Sequence, residues 1–140
     1  MNKKLDVLKR DVRAASDSVS ALSSVTATGY SKAIPVAQYA AVKVNVLASS
    51  VTSGGVLKVW VSDEYEAPDF TSAIAVDNWY QQQSVIDTGS TDITPITDIT
   101  IDANGSKSYE LNTNGAKWVC IELDSRTDGT FSVKTIGYNL

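Results

Sequence analysis

The chain has 140 residues, a net charge of -4, 43% hydrophobic and 20% charged residues, which suits one packed domain with a short appendage. It contains no histidine and one cysteine, Cys120, which removes His-dependent triads, His-ligated zinc, a Cys–His nucleophile and any internal disulfide. The acidic balance does not favour nucleic acid or an anionic membrane, and neither a signal-peptide pattern nor an apolar run of about 18 residues occurs, so the expectation is a soluble product made in a cytosol.

Charge divides the chain. Residues 1–24 hold five basic and three acidic side chains, a balance of +2, whereas the remaining 116 hold seven and thirteen, a balance of -6. Leu5, Leu8, Val12, Ala15, Val19 and Leu22 follow 3-4-3-4-3 spacing. That spacing predicts a helix over 1–25, with Leu5, Val12 and Val19 at heptad position a and Leu8, Ala15 and Leu22 at d. Two uses of the seam are open: packing on the chain's own domain, or self-association and anchoring to another protein. The narrow stripe favours the second, because a helix capping a globular core shows a wider apolar face.

Residues 26–38 read as a linker with a first strand, and 39–140 as the β domain. Val42, Val44 and Val46 alternate with Lys43 and Asn45. Leu57, Val59 and Val61 alternate with Lys58, Trp60 and Ser62. Val119, Ile121 and Leu123 repeat the pattern around Cys120 and Glu122, and Phe131 and Val133 flank Ser132. Period-two alternation is that of strands with one face in a core. Asn104-Gly105, Asn114-Gly115 and Asp128-Gly129 supply the turns. The fold class is therefore all-β: an antiparallel, jelly-roll-like β-sandwich preceded by a short N-terminal helix. Residues 63–78 read as a long acidic loop and 87–98 as an edge strand or extended loop.

Little chemistry is legible. Asp63 with Glu64, and Asp124 with Asp128, are carboxylate pairs, but their spacing reads as acidic loops rather than as a hydrolase site. The 124–129 segment lacks the ligand pattern of an EF-hand loop and reads as a hairpin turn. Cys120 faces away from Val119 and Ile121, where a second sheet or a neighbouring subunit would cover it. No enzyme, cofactor or metal is expected. The aromatics Trp60, Trp79, Tyr80 and Trp118 could stack on sugar rings or fill a contact between sheets or subunits. The candidate ligand site is Trp79, Tyr80 and Gln82.

The order of segments resembles small β-sandwich proteins encoded among the structural genes of tailed bacteriophages. The likeness covers residues 39–138. Its carriers are the strand from Gly55 to Asp63, then Asn78-Trp79-Tyr80, the strand from Ser108 to Asn112, and the closing hairpin from Ala116–Asp124 to Gly129–Val133. The resemblance implies a non-enzymatic virion component, a head fibre or capsid decoration protein. It implies contact with the major capsid protein and a homo-oligomer, with a trimer favoured over a dimer by analogy with fibres. The alternative is a receptor- or glycan-binding module of a tail or surface appendage, its partner a host surface glycan.

Overall fold

The computed structural model describes residues 15–68 and 78–139. Among them lie β1 (Val19–Val25), β2 (Gly29–Tyr30), β3 (Ile34–Pro35), β4 (Ala41–Ser49), β5 (Gly55–Ser62), β6 (Tyr80–Gln81), β7 (Ile86–Asp87), β8 (Asp98–Ile101), β9 (Gly105–Asn112), β10 (Trp118–Arg126) and β11 (Thr130–Tyr138). Two antiparallel sheets enclose one core. The first runs β1-β11-β4-β9-β7 and the second β2-β10-β5-β6, with β3 also on β10 and β8 also on β5.

The period-two pattern places the core. Val42, Val44, Val46 and Ala48 of β4 are buried, while Lys43 and Leu47 face out. Leu57 and Val59 of β5 meet Val119, Ile121 and Leu123 of β10 and Phe131 and Val133 of β11 in the same cluster. Each fully buried Leu, Ile or Phe contributes about 1.5–3 kcal/mol by leaving water. The Asn114–Gly115 turn has positive φ at both residues, 52° and 84°, and Ala116 N–H donates to the Thr113 carbonyl at 2.9 Å. That tight turn lies in the connection that carries the chain from β9 in the first sheet to β10 in the second.

The predicted helix over 1–25 fails at its C-terminal half. Val19–Val25 is a strand that pairs with β11 and supplies Leu22, 7% exposed, to the core. Leu5, Leu8 and Val12 lie outside the described residues. Two register shifts explain the misleading spacing: Val19, Leu22 and Val25 oppose Thr135, Val133 and Phe131. A bulged strand advances three residues while its partner advances two, so apolar residues three apart reach one face and imitate a helical period. Serines at 16, 18, 20, 23 and 24 weaken the competing helix. Ser24 adopts φ 48° and its N–H donates to Ser132 Oγ at 2.9 Å.

The expected linker is also part of the sandwich. Within 26–38, β2 and β3 pair side by side along β10, with Tyr30 opposite Glu122 and Ile34 opposite Val119. The domain thus begins at β1 rather than at residue 39. Between Asp87 and Asp98 the chain is mostly irregular, tied by Val85 and Ile96, which exchange backbone hydrogen bonds at 2.8 and 2.9 Å. The acidic loop is described over 63–68, where residues 63–67 are exposed, Pro68 is half-buried and none is paired in a strand.

Candidate interaction surfaces

The expected ligand site does not assemble. Trp79 is 2% exposed and presents no ring face to solvent. Gln82 spends its side-chain amide on the Asn112 carbonyl at 3.0 Å, and its backbone N–H donates to Val59. Only Tyr80, 57% exposed, is open to a ligand. Of the heptad positions, Ala15 forms a lone bridge to Tyr138, Val19 is partly exposed at the start of β1, and Leu22 is core.

The aromatic side chains gather instead on the outer face of the second sheet. Trp60 Nε1 donates to Glu122 Oε1 at 2.9 Å across β5 and β10. Burial, followed by the charge of Glu122 and a hydrogen bond to it, raises the Tyr30 phenol above its ordinary value. Glu122 is thus a nearly buried carboxylate held by neighbours. Lys58 and Asp124 form a half-exposed ion pair at 3.4 Å on the same face. Trp118 and Lys117 bind the acidic loop: Trp118 Nε1 donates to the Glu64 carbonyl at 2.9 Å, and Lys117 Nζ to the Asp63 carbonyl at 3.0 Å.

Cys120 is covered by its own chain, not by a second sheet or a subunit. Ser31, between β2 and β3, lies over it with Oγ 3.6 Å from the sulfur, and Ile121 N–H donates to that same Oγ at 3.0 Å. Burial pushes the thiol pKa up to about 12, so the reactive thiolate is suppressed. Asp128-Gly129 is a turn as expected but not a hairpin, because it carries the chain from β10 in the second sheet to β11 in the first, and the two strands are not paired. Asp128 accepts the N–H groups of Thr52, Ser53 and Gly54 at 2.8 to 3.0 Å, and those bonds lower its pKa. Among the described residues no cluster of three or more Cys, Asp or Glu is arranged to hold a metal ion.

The outer face of the first sheet carries a feature that sequence reading missed. Register places Lys43 between Ile136 and Glu110, Asn45 between Lys134 and Ser108, and Leu47 between Ser132 and Ser106. These three rows form the floor of two hollows that share this face, about 650 and 320 Å³. Tyr138 donates to the Glu110 carboxylate at the wall of the larger one. Lys107 and Lys134 line the smaller one, Lys43 the larger. The alternation of β4 and β11 contains the signal, but only strand order shows that Lys43 and Lys134 belong to adjacent rows.

No protein-family model and no curated protein matches the chain. Among solved structures it is similar to the SPBc2 prophage-derived protein YomS, with a TM-score of 0.66 and 16% identity, over 91% of this chain and 95% of that one. The likeness shows the fold.

Proposed function

We propose that this chain is a non-enzymatic structural component of a bacteriophage particle, a head fibre or capsid decoration protein that contacts the major capsid protein. The observation that carries the reading is the end-to-end match to a prophage-derived β-sandwich, 91% of this chain against 95% of that one. The chemistry supports it. Asp128 is spent on a backbone turn, Glu122 on Trp60, and the Cys120 thiol is sealed. Copies of the sandwich project from the particle as a homo-oligomer, and the basic residues near the N-terminus attach it. Gold-labelled antibody against the chain tests this by electron microscopy. Gold on heads of intact particles is the expected result; gold confined to unassembled material overturns the reading.

A glycan-binding role finds its support at Trp60 and Trp118 rather than at Trp79. Their indole N–H groups are fixed by Glu122 and Glu64, so the rings are held rigidly on one face. A glycan array on the full chain, compared with Trp60→Ala, separates this role from a purely structural one.

A further inference from the structure

We infer that the hollow on the outer face of the first sheet receives the acidic loop at 63–66 of a second copy of this chain. Counted over both hollows, the receiving surface carries three lysines against one carboxylate in an acidic protein: Lys107 and Lys134 line the smaller hollow, and Lys43 faces Glu110 in the larger. Lys43, Lys107 and Lys134 line the paired hollows, and the ion pair found among the described residues, Lys58 with Asp124, involves none of them. Glu110 is the carboxylate on that face, and the Tyr138 hydroxyl already donates to it. At about 650 Å³ the larger hollow falls in the range that admits an aromatic ring with its polar flanks.

The complementary part is already built. Asp63, Glu64, Tyr65 and Glu66 are all exposed, and Tyr65 is 88% exposed. Tyr65 thus offers an aromatic ring flanked by three carboxylates, and aromatic side chains are enriched where proteins meet. The loop's backbone is tied down by Lys117, Trp118 and the Ser62 hydroxyl, to which Glu64 N–H donates at 3.2 Å. Its side chains therefore project from an ordered backbone, and docking costs less ordering than a free loop would.

The loop leaves β5 of the second sheet, whereas the hollow opens on the outer face of the first. These surfaces belong to opposite layers of the sandwich, so the loop of one copy enters the hollow of the next. Such a contact uses two different patches. It closes into a ring or continues as a stack, according to the rotation between copies. The inference concerns the purified chain and stands whether or not the chain belongs to a particle.

Sedimentation velocity of the full chain at low and high salt tests it. Association that weakens as salt rises is expected, because the contact is charge-led. Lys43→Glu with Lys134→Glu, and separately Glu64→Lys with Glu66→Lys, each weaken self-association roughly tenfold or more. An equimolar mixture of the two double variants associates again, since each supplies the other's missing complement. Tyr65→Ala weakens association without changing charge, and Lys32→Glu, at a position that lines neither hollow and is not part of the 63–66 segment, leaves it unchanged. A wild-type chain that stays monomeric at low salt overturns the inference. So does equal weakening by Lys32→Glu, or double variants that fail to associate when mixed although both melt as the wild type does.

Discussion

Asp128 Oδ1 accepts the backbone N–H of Gly54 at 2.9 Å, joining residues 74 apart in sequence. The same carboxylate takes the N–H groups of Thr52 and Ser53. The Gly54 carbonyl in turn accepts Thr127 N–H at 2.8 Å. The β4–β5 turn and the β10–β11 turn therefore form one unit at one end of the sandwich. Gly54 has φ +84°, and a Cβ there would lie 1.7 Å from the Ile101 carbonyl oxygen. Gly54→Ala should lower stability by several kcal/mol, on the order of the largest single-residue effects. Asp128→Ala should lower Tm at neutral pH. The Asp128 pKa is depressed on folding, so its stabilisation is present above the unfolded carboxylate value of about 3.9 and is lost as pH falls through the folded value. Melting both proteins from pH 7 to pH 2.5 should show the gap closing at the acid end. A gap independent of pH would contradict the ionic cap.

Leu22 should behave as a core residue. Leu22→Ala should cost about 2–4 kcal/mol in denaturant unfolding, because it empties a site that is 7% exposed between β1 and the core. Deleting residues 1–28 should do worse, since it also uncovers the β11 edge along which β1 pairs. A fragment from residue 30 that melts as the full chain does would contradict the assignment of β1 to the sandwich.

Trp79 and Tyr80 should separate cleanly. Trp79→Ala should destabilise by about 3–5 kcal/mol, whereas Tyr80→Ala should stay within about 0.5 kcal/mol. Their exposures, 2% and 57%, set that contrast. Equal effects in chemical denaturation would contradict it.

Cys120 offers a probe that reports unfolding directly. As the sole cysteine, buried and with its thiol pushed up to about 12, it should resist alkylation at pH 8 in the native state and react fully in denaturant. Rapid labelling of the native chain would mean that the Ser31 cover opens easily.

The strands with strict alternation were legible because both of their faces have distinct neighbours. Val42, Val44 and Val46 in β4, and Val119, Ile121 and Leu123 in β10, point to the core as their spacing predicts. β1 was not legible, since its bulges replace period two with a spacing of three that a helix shares. For Trp79 the sequence left two uses open, stacking on a ligand or filling a contact between sheets, and the choice depends on how a short edge strand is seated. That information lies in tertiary packing rather than in the local sequence. The groove of Lys43, Asn45 and Lys134 joins β4 to a strand almost 90 residues later, so no local pattern reveals it.

The most direct measurement of the central claim is quantitative mass spectrometry of density-banded phage particles from lysates in which this chain is expressed. The account predicts peptides of the chain co-banding with the major capsid protein, at a fixed ratio that repeated banding does not change. Abundant chain in the infected-cell lysate, with none retained on the particles, would contradict it.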